Sequence, residues 1–275
     1  MKNNLIVDVG MHKGEDTDFY LRSGFRVISI DADINLVNDA IKKYKDYIDK
    51  NMFTVLNYAV TDEDFDEVIF SISEQTLWSS LKPEISNREG KLEKKIKVKT
   101  RKLDSIFQEF GVPYYCKIDI EGYDNKALKT LSNSKELPAF ISVESECLSE
   151  GQVITEEAAL QTLDTLFELG YRKFKLVDQS SLSVLELNKK FYNKISVTSR
   201  LFNKLKKRWS SRSKYNRQFN YLFPLGSSGP FGNDLEKEWI NYEEARKNLK
   251  RHRRDYFNTK NAVSYGFWCD WHAKM

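Results

Sequence analysis

At 275 residues, with 40% hydrophobic and 31% charged side chains, the chain can form one large α/β domain, or a domain of about 190 residues with an appended segment. No run of 18 apolar residues occurs, which excludes a membrane-spanning helix, and three scattered cysteines (Cys116, Cys147, Cys269) exclude a disulfide framework or a zinc site. The net charge of +4 is ordinary, but no acid falls between Glu186 and Asp234, while eleven Lys and Arg crowd Lys189–Arg217. A first strand entered by about residue 4 leaves no room for a signal peptide, so the expected compartment is the reducing cytoplasm.

Leu5, Ile6 and Val7 run without a polar interruption to Asp8, the pattern of a strand buried on both faces. Gly10 and Gly14 bracket a turn in which backbone can approach a ligand closely, and Asp16, Thr17 and Asp18 are N-cap candidates for the following helix. Phe25–Ile30 is a second strand, closed by Asp31, 21 residues after Gly10. An acid about 20 residues beyond a glycine turn is placed to accept both hydroxyls of a ribose. The third glycine of the dinucleotide fingerprint is missing. Ile34–Ile48 carries a helical stripe at Val37, Ala40, Ile41, Tyr44 and Ile48. Phe53–Ala59 is a third strand, Val68–Ser73 and Leu77–Leu81 a hairpin-like excursion, Lys94–Thr100 a strand, and Leu103–Phe110 a helix stopped by Gly111.

Tyr114–Ile120 is the next core strand, followed by a helix over Tyr123–Leu131 and a strand over Pro138–Val143. Thr155–Leu169 is an amphipathic helix capped by Thr155 and closed by Gly170, and Arg172–Val177 returns as a strand. The alternation predicts a Rossmann-like, mostly parallel seven-stranded sheet with helices on both faces. The rhythm then breaks. Residues 180–261 are expected to be a basic, aromatic insertion over the ligand crevice, with a loop at Phe223–Gly232 and a helix at Leu235–Tyr256. Tyr265–Trp271 is expected to be the last strand, giving a partition of 1–179, 180–261 and 262–275.

Strand alternation puts Lys117, Asp119 and Glu121 on one face, and Glu144 with Glu146 on one face of the next strand. If the strands are neighbours, these carboxylates converge near the C-terminal ends, where α/β sheets bind ligands. Such crowding should raise at least one carboxyl pKa and suits a general base, although a structural network around Lys117 is the competing reading. Asp119, Glu144 and His272, expected just after the last strand, are the base candidates. The oxygens of Asp119, Glu121 and Glu144 would suit magnesium, but no pattern demands a metal and none is expected. His12 sits in the glycine turn, within reach of a cofactor carboxylate. Gly226–Gly229 reads as a flexible lid loop rather than a phosphate cradle.

The block KIDIEGYDNKAL, Lys117–Leu128, resembles the signature of the FkbM-type S-adenosylmethionine (SAM)-dependent methyltransferases. VDVGMHKG resembles that family's first motif, ISIDAD its ribose acid, NYAVTD its adenine-side loop, and TRKLDSIF the step into the signature strand; WCDWHAK resembles a tail in one branch. The resemblance implies SAM as cofactor, with Asp8, Gly10, His12, Gly14, Asp31, Asp62 and Asp119 as its binding residues. It also implies methyl transfer, and O-methylation of a sugar hydroxyl of a glycan or related small molecule rests on it alone. An RNA-directed methyltransferase using the basic insertion, or a catalytically silent SAM-binding module, is the alternative. The absence of an Asn/Asp-Pro-Pro-aromatic tetrapeptide at Asp119–Gly122 argues against base methylation and a nucleic-acid partner. The stretch 189–217 has the composition of a surface for peripheral membrane contact. The oligomeric state is not encoded in any motif.

Overall fold

The computed structural model describes residues 4–65, 67–73, 92–145, 155–186, 211–257 and 269–275. It divides into two compact units, Met1–Glu144 and Ser145–Met275.

In the first unit the chain runs β1 (Leu5–Val9), α1 (Glu15–Arg22), β2 (Arg26–Asp31), α2 (Ile34–Lys43), α3 (Lys45–Asp49) and β3 (Phe53–Asn57). Short strands β4 (Ala59–Val60), β5 (Val68–Ser73), β6 (Leu92–Val98) and β7 (Thr100–Arg101) follow, then α4 (Leu103–Phe110), β8 (Tyr115–Ile118), α5 (Asp124–Thr130) and β9 (Phe140–Ser145). The main sheet has the order β9-β8-β1-β2-β3. Its pairings are parallel, with Val7 opposite both Ile28 and Cys116. All five residues of β1 are buried, so the uninterrupted apolar run found the only place it is stable, the centre of a sheet covered on both faces. Cys116 is buried in β8, where desolvation holds its thiol far above the ordinary range.

Several elements differ from expectation. The N-cap of α1 is Gly14, with φ 76° and no side-chain cap, because Asp16 and Thr17 turn inward instead. The long helix expected at 34–48 breaks at Tyr44, whose ring is buried and whose hydroxyl donates to the Gly14 carbonyl at 3.0 Å. Ile41 is 44% exposed, so the buried stripe is Val37, Ala40 and Tyr44. The strand at Val68–Ser73, β5, pairs antiparallel with β6, and together with Ala32 and Ala59 they close a small core around Phe70, Ile72 and Val98. Residues 77–81 lie outside the described residues, as do Cys147, Glu146 and residues 189–210.

The second unit contains α6 (Glu156–Leu169), β10 (Lys173–Asp178), β11 (Ser183–Val184), α7 (Ser211–Phe219), β12 (Ile240–Asn241), α8 (Tyr242–Phe257) and β13 (Cys269–Lys274). Thr155 caps α6 through its hydroxyl, which accepts from Ala158 N–H at 3.2 Å, and Gly170 ends it in the left-handed conformation. The β10 strand pairs antiparallel with β13, with Leu176 opposite Trp271, and with β11 and β12 along its length. Five parallel strands in one unit and an antiparallel pair, β10 with β13, in the other make up the mostly parallel, Rossmann-like α/β fold.

The segment Phe223–Gly232 is not an open lid. Phe223, Ser227, Ser228 and Phe231 are buried, and a Cβ on Gly229 would come within 2.8 Å of the Leu182 side chain. The described end of the basic stretch is also engaged internally. Arg212 donates to the carbonyls of Gln179 (2.5 Å), Ser180 (3.2 Å), Phe223 (2.9 Å) and Pro224, while Lys214 pairs with Glu236 at 3.4 Å.

Candidate active site

At the C-terminal end of β1 the chain reverses through Gly10, whose φ of +79° no β-carbon-bearing residue adopts cheaply. Gly10 and Met11 donate their N–H groups to the Ile30 carbonyl at 3.0 and 3.1 Å, which fastens the turn to β2. The turn also packs on the other neighbour of β1, since a Cβ on Gly10 would lie 1.7 Å from the Asp119 carbonyl oxygen. Gly14 is equally confined, by the Tyr44 hydroxyl, 2.6 Å from where its Cβ would be.

Asp31 closes β2 beside this turn. Its Oδ2 accepts the His12 N–H at 2.8 Å and its Oδ1 the Asp33 N–H at 2.9 Å. Burial pushes its pKa up to about 6 despite these two hydrogen bonds. The His12 ring contributes differently from expectation: its Nδ1 lies 2.9 Å from Glu15 Oε1, while its backbone serves Asp31. Burial works to raise the Glu15 carboxyl, yet the His12 hydrogen bond and charge hold it below its usual range. Asn57, at the end of β3, donates to the Asp31 and Ala32 carbonyls, both at 3.0 Å. Asp62 lies on the loop after β4, 45% exposed, with Lys126 Nζ 3.6 Å away.

Beneath the turn, Lys117 is the hub of a buried charge cluster. Its ammonium lies 3.5 Å from Asp8, 3.5 Å from Asp119 and 3.9 Å from Asp16, and donates to the Gly10 carbonyl at 3.2 Å. Thr17 completes the cluster by donating to Asp8 Oδ2 at 2.6 Å, which is why it is not free to cap α1. Burial, opposed by Lys117, raises Asp8 to about 6. Asp8 therefore acts from below the turn, as part of this cluster.

The β8 strand ends at Ile118, and the next residues bend the chain back over the strand ends, with Glu121 at φ 52° and Gly122 at φ 94°. Asp124 holds the bend: its Oδ1 accepts the Ile120 N–H at 2.8 Å and its Oδ2 the Gly122 N–H at 2.9 Å. Burial raises Asp124 to about 6, and the charge of Asp119 adds to that. Asp119, Glu121 and Glu144 thereby offer oxygens that all lie within 4.8 Å of one another, close enough to share a proton or a cation.

The structure thus brings together Asp8, Gly10, His12, Gly14, Asp31, Asp119, Glu121 and Glu144. His272 belongs to the second unit and lies inside β13 rather than after the last strand. There His272 is opposite Lys175, is 1% exposed, and has its pKa pushed down to about 3 by burial and by that lysine. A ring so weakly basic is neutral at physiological pH. Sequence pattern alone gives Lys117 as a counter-ion and Asp16 and Thr17 as helix caps, and it gives Asp124 no role. The buried fit of a lysine among three aspartates is visible only once the strands are paired.

A parallel sheet with a glycine turn after its central strand and a half-buried acid ending the adjacent strand defines a Rossmann-like site for a ribose-bearing cofactor. The profile of the methyltransferase FkbM domain matches residues 8–173, and the chain belongs to that family. Solved structures similar to it include a methyltransferase FkbM from Methylobacillus flagellatus KT, 18% identical over 61% of this chain and 36% of that one, with a TM-score of 0.37. A SAM-dependent methyltransferase from Archaeoglobus fulgidus is 11% identical over 100% of this chain and 87% of that one, TM-score 0.40. One from Geobacter sulfurreducens, in complex with S-adenosyl-L-homocysteine, is 12% identical over 99% and 83%, TM-score 0.36. The chain spans about a third of the Methylobacillus protein. No curated protein shows significant similarity. No helix among the described residues is long and apolar enough to cross a membrane.

Proposed function

We propose that the chain is a SAM-dependent O-methyltransferase that methylates a sugar hydroxyl of a glycan or related small molecule in the cytoplasm. The observation that carries this reading is the convergence of Asp119, Glu121 and Glu144 at the ends of β8 and β9, on a backbone already packed against the Gly10 turn.

The residues fit the cofactor. Each Asp31 oxygen accepts one backbone N–H and keeps a lone pair for a ribose hydroxyl, beside a Gly10 turn fastened to the end of β2. The bound sulfonium supplies an activated methyl group. The acceptor proton goes to a carboxylate oxygen of Asp119 or Glu144, which act as base and as orienting groups. Lys117 holds the Asp119 carboxylate in place. The basic stretch 189–217 is assigned peripheral contact with an anionic membrane surface, on its composition alone.

The test is incubation of the purified protein with SAM and a panel of sugar and glycan acceptors, with methylated product read by mass spectrometry. Wild type should yield a methyl ether, and Glu144→Gln should bind S-adenosylhomocysteine but turn over at least about a hundredfold more slowly. Cofactor binding without methylation of any hydroxyl acceptor would favour the silent-module alternative. Failure of well-folded protein to bind the cofactor would remove the methyltransferase reading altogether.

A further inference from the structure

Helix α8 carries six Lys and Arg between Arg246 and Arg254. Arg253 is buried, and the other five fall into two groups with different surroundings. Arg246 lies 3.2 Å from Asp164 and Lys250 2.6 Å from Glu156, so these two are matched by carboxylates of α6. Lys247, Arg251 and Arg254, at i, i+4 and i+7, form a row on the same face with no carboxylate partner among the described residues. The Nη2 of Arg251 is shielded from solvent and has no hydrogen-bond partner among the described residues. A shielded guanidinium N–H without an acceptor is uncommon, because it forfeits water and gains nothing.

The row opens onto two adjoining hollows that share Glu243, Lys247 and Arg251. One, of about 480 Å³, is also lined by Asn241, Glu244 and Asn248; the other, of about 420 Å³, by Arg246, Lys250 and Arg254. Both hollows are shallow and open to solvent. Glu243 and Glu244 make the first turn of the helix unfavourable for an anion, so the attractive end is the one running from Lys247 to Arg254.

We propose that this face of α8 is a binding site for a phosphate- or diphosphate-bearing small molecule, held by Lys247, Arg251 and Arg254. The site is separate from the methyl-transfer reading. The geometry favours this ligand over larger polyanions on two counts. The lining contains no apolar side chain, Ala245 and Leu249 being buried on the opposite side of the helix, so nothing would enter a lipid surface. It also contains no aromatic ring on which bases could stack, and the three cations span only about 10 Å of helix, too short a track for a nucleic-acid strand. A planar guanidinium beside two flexible cations matches the tetrahedral oxygens of one or two phosphoryl groups.

The test is equilibrium titration of the full chain with inorganic pyrophosphate at low salt, beside two controls: vesicles of phosphatidylglycerol in phosphatidylcholine, and a single-stranded RNA. Pyrophosphate should bind saturably, one per chain. The Lys247→Gln/Arg254→Gln double variant, whose positions are exposed, should bind at least about tenfold more weakly with an unchanged thermal midpoint. Lys42→Gln, on the exposed face of α2, should bind like wild type. Absence of saturable binding, retention of full affinity by the double variant, or binding confined to the vesicles or the RNA would each overturn the assignment.

Discussion

The carbonyl oxygen of Asp119 lies 1.7 Å from where a Cβ on Gly10 would stand, so the first glycine of the turn and the signature strand are packed backbone against backbone. The smallest possible side chain is therefore excluded twice, by that oxygen and by a φ of +79°. Gly10→Ala is expected to move the turn or the Asp119 bend, at a conformational cost of about 1–2 kcal/mol before the clash is counted. Calorimetric titration with S-adenosylhomocysteine should show affinity reduced by tenfold or more. Unchanged affinity would mean that this turn does not contact the cofactor.

Asp31 has to be ionised to accept two hydroxyls, and burial has raised its pKa to about 6. Cofactor affinity should be flat above pH 7 and fall below pH 6, approaching tenfold per unit. Asp31→Ala should abolish binding, and Asp31→Asn should bind weakly and lose the pH dependence that this residue causes. Titrations between pH 5 and 8 check this. Because Asp8 and Asp124 are also raised to about 6, an Asp31→Asn protein whose residual affinity still fell steeply would implicate them instead.

Lys117 stands against three carboxylates with only 5% of its side chain exposed. Lys117→Met would leave Asp8, Asp16 and Asp119 without their shared counter-ion, and breaking a buried ion pair from one side costs about 3–5 kcal/mol. Urea unfolding at pH 7 should show a loss of that order. The loss should shrink at pH 5, where Asp8 takes up its proton. A variant equally stable at both pH values and close to wild type would reduce the cluster to a bystander.

His272 carries the opposite pH signature from Asp31. Its folded pKa of about 3 lies below the unfolded value of about 6.5, so between those values the unfolded chain binds the extra proton. Its contribution to stability is therefore full above pH 6.5 and is lost as the pH falls through that window. Asp31, raised from 3.8 to about 6, works the other way and favours the folded state at the lower end of its own window. Replacing His272 with Gln should flatten the fall in stability between pH 6.5 and 5, measured by urea unfolding. A variant with the same acid limb as wild type would mean that His272 does not carry it.

Local pattern was sufficient for much of this molecule. The apolar run Leu5–Val7 leading into a glycine turn, the acid at Asp31 and the bounds of Leu103–Phe110 follow from short-range physics: burial on two faces, a positive φ that favours glycine, and a stop signal at Gly111. The block Lys117–Leu128 carries the resemblance to the family, and the family match extends over residues 8–173.

Tertiary structure alone decided the partners. Thr17 and Asp16 read as helix caps, yet Asp8 and Lys117 draw them inward. Tyr44 sits on an unbroken helical stripe, yet its bond to Gly14 ends the helix there. His272, expected beyond the last strand, is enclosed within it. In each case the winning interaction joins residues on different elements, and its strength comes from burial. Desolvation makes an unmatched charge or hydroxyl costly, so the side chain takes whichever partner the fold brings within reach. Spacing along the chain identifies which groups need a partner, and only the paired strands determine which partner each one meets.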